Sequence, residues 1–89
     1  MKLVRKVKVK NALGLHTRPA AAIVKLLQPH RSLVSFTYKD ETINARSIIG
    51  ILMLAAKKNT QLTITVDGED AEVTMCRLLT AFDQEFGEK

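Results

Sequence analysis

The sequence predicts an α+β fold: an open-faced β-sandwich, with a four-stranded, mainly antiparallel sheet covered on one face by three helices. Three observations predict it. Short stretches alternate apolar with polar residues, so each strand has one wet face. Stretches between them carry apolar residues three and four apart, the stripe of an amphipathic helix. The order is β-α-β-β-α-β-α, and a sheet with one wet face leaves only the other for the helices to cover.

Each element has its own signal. Leu3 to Val9 alternates imperfectly, with Lys6 and Lys8 opposite Val7 and Val9, and reads as a half-buried strand. Asn11 and Gly14 break it. Thr17 to Gln28 reads as a helix, with Ala20, Ile23, Val24 and Leu27 on one face and Pro29 as the stop. Val34, Phe36 and Tyr38 alternate with Ser35, Thr37 and Lys39 in a second strand. A turn at Asp40 and Glu41 leads to a short third strand through Thr42 and Ile43. Ser47 to Ala56 forms a second helix, weakened by Gly50. Leu62, Ile64 and Val66 alternate with Thr63 and Thr65, the clearest strand in the chain. Asp67-Gly68 is turn chemistry. Ala71, Met75, Leu78, Leu79, Phe82 and Phe86 make the last helical stripe.

At 89 residues the chain is expected to be one domain, spanning 1–89, near the lower end of what folds on one core. It is too short for the two-lobed clefts of most metabolic enzymes. With 46% hydrophobic and 26% charged residues it is a globular sequence rather than a disordered one. The one cysteine, Cys76, excludes an internal disulfide and a cysteine-rich zinc site. A reducing, cytoplasmic setting follows as the expectation. The apolar stretch from Ile48 to Ala56 is too short to span a bilayer. A net charge of +5 permits an anionic partner without choosing among nucleic acid, membrane, phosphate and acidic protein.

The most informative segment is Gly14-Leu15-His16-Thr17-Arg18-Pro19. A strand ends, a glycine turns the chain and a helix begins. Pro19 fits only the first helical turn, where its missing N–H has no partner to lose. That places His16 at or beside the N-cap and Arg18 in the first turn. A helix start offers free amides and the positive end of a macrodipole, worth ~0.3–1 kcal/mol to an anion. A guanidinium beside them adds a planar donor fork. Arg18 opposes the dipole on its own, and a bound anion offsets that cost. The same residues also fit a histidine that merely caps a helix beside a solvated arginine.

The run GLHTRPAAAIVKLLQ closely resembles the active-site segment of the HPr family, the histidine-containing phosphocarriers of the phosphoenolpyruvate-dependent phosphotransferase system. The resemblance extends through INARSIIGILMLAA to the helical C-terminus, and the element order is similar to that family's fold. It implies that His16 is phosphorylated on Nδ1 by enzyme I and donates the group to an enzyme IIA-type acceptor. It implies that Arg18 stabilises the phosphoryl group, with the Thr17 amide at the helix start receiving its oxygens. No metal or organic cofactor is implied, and a monomer with one reused docking face is expected.

Ser47 reads first as the N-cap of the second helix. By the resemblance it also matches the serine that an ATP-dependent HPr kinase/phosphorylase modifies in many bacterial members. The helix after it is apolar on too many sides. Ile51, Leu54 and Ala55 can face the core, while Ile48, Ile49, Leu52 and Met53 fall on another face. These are either covered by loops or exposed for docking. The resemblance favours docking for Ile48, Ile49 and Leu52.

Other residues carry weaker signals. His30, in a loop without acidic or metal-ligand neighbours, reads as solvated. Cys76 reads as a buried or half-buried thiol, and Lys2, Lys6, Lys8 and Lys10 as one solvated strand face. Asp67 to Asp70 reads as a turn and helix cap. Asn11-Ala12-Leu13-Gly14 and the end from Phe82 to Gly87 are more similar to the nitrogen-related branch of the family. His16-Thr17-Arg18-Pro19-Ala20 occurs in sugar-branch members, so the branch stays open. Two rival readings are weaker. A small basic nucleic-acid-binding domain lacks here a stacking aromatic pair and a Gly-x-x-Gly loop. A purely regulatory relative switched at Ser47 has no use for His16 and Arg18.

Overall fold

A computed structural model describes residues 1–88. In chain order the elements are β1 (Lys2–Lys8), α1 (Thr17–Leu27), β2 (Leu33–Tyr38), β3 (Glu41–Asn44), α2 (Ile48–Met53), β4 (Gln61–Asp67) and α3 (Ala71–Asp83). A 3₁₀ turn, Glu85–Gly87, follows α3. The order is the one predicted. The strands form one sheet in the order β1-β4-β2-β3, and every neighbouring pair is antiparallel.

The registers show how the alternation becomes two faces. Leu3 pairs with Val66 and Val7 with Leu62, while Val34 pairs with Val66 and Phe36 with Ile64. These residues share the helix-covered face. Thr65 stands between Val4 and Ser35, and Thr63 between Lys6 and Thr37, on the open face. Thr37 and Thr42 hydrogen-bond across that face at 2.8 Å. β1 is an edge strand, and its exposed Lys2, Lys6 and Lys8 discourage pairing with another chain.

Aliphatic side chains from all three helices fill the core against the sheet, among them Ile23 and Leu27 of α1, Ile51 of α2 and Leu78 of α3. Each such side chain contributes ~1.5–3 kcal/mol when fully buried. Two phenylalanines join them: Phe36 of β2 and Phe82 of α3 are fully buried, edge to face at 5.8 Å. Phe86 continues the stack onto Phe82 at 4.9 Å.

Several expectations are corrected. The second helix ends at Met53, because Ala55 takes a left-handed conformation with φ 51°. That turn leaves Ala55 exposed and returns Ala56 to the core. Phe86 belongs to the turn after α3 and not to its stripe. Cys76 is exposed, since one residue past the buried Met75 rotates it off the core face of α3. Lys10 leaves the lysine ladder and pairs with Asp83.

His30 is the largest correction. Its side chain is only 7% exposed. Nδ1 lies 2.8 Å from the Thr74 hydroxyl, and Nε2 lies 3.0 Å from the Arg77 guanidinium. Asp70 stands at the N-cap position of α3, but its carboxylate reaches outward. It accepts from the Ser32 hydroxyl and from the amides of Arg31 (2.8 Å) and Ser32 (3.0 Å). His30 and Asp70 together tie the α1–β2 connection to the start of α3.

Candidate functional site

The site begins with a glycine at which any side chain would be strained. Gly14 has φ +68°, and a Cβ there would stand 2.2 Å from the Ala56 carbonyl oxygen. The turn is closed by the Gly14 amide donating to Asn11 O at 3.0 Å. The next amide, Leu15, donates to that same Ala56 carbonyl at 2.9 Å. The buried Leu15 and this bond fix the loop against the end of α2.

His16 follows in extended conformation as the N-cap of α1, with its carbonyl accepting from the Ala20 amide at 3.0 Å. Its side chain makes no cap bond, so the imidazole is released from the usual task of an N-cap. Thr17 and Arg18 are the first helical residues, and their amides have no acceptor within the helix. Buried Pro19 and Ala20 pin this turn to the core. No acidic residue lies in the first turn of α1. The Arg18 side chain is 79% exposed and the His16 side chain 32% exposed.

An anion already occupies this corner, and it comes from the far end of the chain. Glu88 Oε2 lies 2.8 Å from His16 Nε2 and 4.0 Å from an Arg18 guanidinium nitrogen. Nε2 is shielded from solvent, and the pair stands at ion-pair distance without meeting hydrogen-bond geometry. The carboxylate is itself 15% exposed. It is held by Asn11, a fully buried residue whose side-chain nitrogen donates to Glu88 Oε1 and, at 2.8 Å, to the Glu85 carbonyl.

Sequence reasoning missed both Asn11 and Glu88. Asn11 read as a strand breaker and as part of the run similar to the nitrogen-related branch, and nothing local marks Glu88 as a neighbour of His16. The signal lies in the backbone. Glu85, Phe86 and Gly87 all have positive φ (55°, 52° and 82°), which turns the chain end back across the molecule. For the two residues with side chains that conformation costs roughly 1–2 kcal/mol each. The Phe86–Phe82 ring contact and the Asn11 bonds offset it.

The other predicted positions lie on α2. Ser47 is its N-cap, and the hydroxyl accepts from the Gly50 amide at 3.0 Å. Ile48, Ile49 and Leu52 are all exposed, Ile49 at 72%, and Met53 is exposed beside them. Loops therefore do not cover this face. Among the described residues, no group of three His, Cys, Asp or Glu side chains is placed to share a metal ion. No described helix is long and apolar enough to cross a membrane.

Comparison with known proteins agrees with this layout. The family model for the PTS HPr component phosphorylation site matches residues 3–84. The chain is 41% identical over 80 residues to the phosphocarrier protein HPr of Chlamydia muridarum, covering 90% of this chain and 77% of that one. It is 36% identical over 80 residues to the HPr of Xylella fastidiosa, covering 90% of each. Among solved structures it is similar to HPr-C-His from Thermoanaerobacter tengcongensis, with TM-score 0.93, 29% identity and 98% of each chain covered. It is also similar to an HPr from Bacillus anthracis, with TM-score 0.84 and 33% identity, over 89% of this chain and 94% of that one. A four-stranded open sheet under three helices, a histidine at the start of the first helix and a match over nearly the whole length lead to one conclusion: the chain belongs to the HPr family of phosphocarriers of the phosphotransferase system.

Proposed function

We propose that His16 accepts a phosphoryl group on Nδ1 from phospho-enzyme I and passes it to an enzyme IIA-type acceptor. The observation that carries this reading is the carboxylate held between His16 and Arg18. His16 and Arg18 already stand beside an anion at this corner. The free amides of Thr17 and Arg18 and the exposed guanidinium are donors available to phosphoryl oxygens. None of these contacts encloses the group, which suits a carrier that must release it. The protein acts as a substrate of its partners rather than as an enzyme. It needs no cofactor, since the donor supplies an activated phosphoryl group. A monomer in the cytoplasm fits a relay between partners.

Docking falls to Ile48, Ile49 and Leu52. Their exposure, with Met53, makes an apolar patch on α2 that fits an apolar, acid-rimmed surface on enzyme I and on the acceptor. Ser47, exposed at the start of that helix, is the position for regulatory phosphorylation by an HPr kinase/phosphorylase. A phosphate there is tolerated by the helix end but places negative charge beside the patch. The nitrogen-related, signalling branch is the alternative to sugar uptake, on the strength of the Asn11 to Gly14 run. Nucleic-acid binding has less support: all four aromatics, Phe36, Phe82, Phe86 and Tyr38, pack into or against the core, leaving the open sheet face without a stacking platform.

The test is incubation with enzyme I and phosphoenolpyruvate. One acid-labile, alkali-stable phosphate is expected, and His16→Ala abolishes it. An acid-stable product, or uptake by the His16→Ala variant, overturns the assignment. Arg18→Ala slows transfer without unfolding the protein. Ser47→Asp weakens enzyme I docking, and wild-type transfer by that variant removes the case for a switch.

A further inference from the structure

Glu88 lies on the ring nitrogen that the proposed chemistry does not use. His16 Nε2 is shielded from solvent, and Glu88 Oε2 lies 2.8 Å from it. Nothing among the described residues hydrogen-bonds to Nδ1. A neutral imidazole carries one N–H, and a carboxylate can only accept. With the lone pair on Nε2, two electron-rich atoms would face each other in a shielded place. With the proton on Nε2, the pair attracts, and the lone pair falls on Nδ1.

We propose that Glu88 is a positioning residue for His16: its carboxylate holds the imidazole as the Nε2–H tautomer and balances the charge the ring gains when Nδ1 is phosphorylated. This rests on the phosphocarrier reading above. In the transfer step the Nδ1 lone pair forms a bond to phosphorus. The donor's bond to phosphorus breaks, and its electron pair leaves with the donor. The Nε2 proton stays, so the ring becomes cationic. The nearest negative charge among the described residues to receive that cation is Glu88, with the exposed Arg18 4.0 Å from the same carboxylate oxygen. The resting contact falls short of hydrogen-bond geometry, as acid–base contacts often do before charge develops, and tightens as the ring becomes positive.

The carboxylate is held in place for this role. The side-chain nitrogen of buried Asn11 binds Glu88 and the Glu85 carbonyl, while its side-chain oxygen has no partner. The orientation of that amide is therefore set by the chain end alone. The three consecutive left-handed residues bring Glu88 to this position.

The test uses the full chain, with ¹⁵N NMR of His16 at a pH where the ring is neutral, and steady-state transfer from enzyme I. Wild type is expected to show the Nε2–H pattern of nitrogen shifts. Glu88→Ala moves the shifts toward a tautomer mixture and lowers kcat roughly tenfold, with little change in KM. Glu88→Gln removes the charge and, with its amide oxygen held by the Asn11 side-chain nitrogen, turns its NH2 toward His16 Nε2, so it shifts the tautomer toward Nδ1–H and lowers kcat. An Nδ1–H pattern in wild type, or unchanged shifts or unchanged kcat in Glu88→Ala, overturns the role of Glu88 and leaves the carrier reading standing. Failure of wild type to take phosphate overturns the carrier reading and this role with it.

Discussion

The Ala56 carbonyl oxygen fills the space that a side chain on Gly14 would need, and it accepts the Leu15 amide from the same position. The approach of this loop to the segment after α2 is therefore backbone on backbone. Gly14→Ala puts a methyl group into that oxygen and demands a left-handed conformation of a residue that resists it. The variant is expected to lose about 3 kcal/mol of stability. Urea denaturation checks this, and a loss under 1 kcal/mol would show that the loop moves aside freely.

Arg46 makes a second connection that its place in the sequence does not announce. Its guanidinium donates to three carbonyls of the α1–β2 connection: Leu27 (2.8 Å), His30 (2.7 Å) and Ser32 (2.9 Å). Removing it takes the guanidinium from all three carbonyls, of which Leu27 O keeps the His30 amide at 3.0 Å. Arg46→Ala is expected to cost about 2–3 kcal/mol. Arg46→Lys restores little, because an ammonium cannot reach three acceptors in one plane. A lysine variant as stable as wild type in thermal melts would refute the geometric part of this account.

Acid stability is expected to depend on Asp70. The Ser32 hydroxyl, then the Arg31 amide, hold its carboxyl well below the usual carboxylate range. A lowered folded-state value means the ion is favoured by folding. The stabilisation is complete at neutral pH, starts to fall as pH drops through the unfolded value of about 3.9, and is lost below the folded value. Asp70→Asn is expected to lower stability at pH 7 and to flatten its decline between pH 5 and pH 2. Urea midpoints across that range decide it: parallel curves for both proteins would place the acid-labile group elsewhere.

Ile49 separates docking from stability. At 72% exposed it contributes little to the core. Ile49→Glu is expected to leave the denaturation midpoint within about 0.5 kcal/mol of wild type. The apparent KM for transfer from enzyme I rises several-fold, because a charge replaces an apolar contact. An unchanged KM would move the docking surface off α2.

The local patterns carried most of the fold. Alternation at Leu62 to Val66 and the stripe from Ala71 to Phe82 needed no tertiary information, and the His16–Arg18–Pro19 order was enough to place a helix start. Residues whose neighbours come from elsewhere were illegible. His30 reads as solvated because Thr74 and Arg77, its partners, belong to another helix. Cys76 reads as buried because a stripe defines a face only to within a residue or so. Ala55 ends α2 by a left-handed turn without the glycine that usually signals one. Glu88 is the extreme case, since its meaning depends on three backbone angles and on Asn11 at the opposite end of the chain.

The strand order β1-β4-β2-β3 sets a timetable for the site. Only the β2–β3 hairpin closes locally. β4, the last strand in the sequence, is the one on which both β1 and β2 pair. Such distant pairings pay loop-closure entropy before any contact rewards it, and they form late. His16 lies on the segment leaving β1, so its position depends on the long-range pairing of β1 with β4. On the proposed phosphocarrier reading, a chain that has not docked β4 has no ordered phosphoryl site to offer, and partners reading the α1 corner would engage only completely folded carriers.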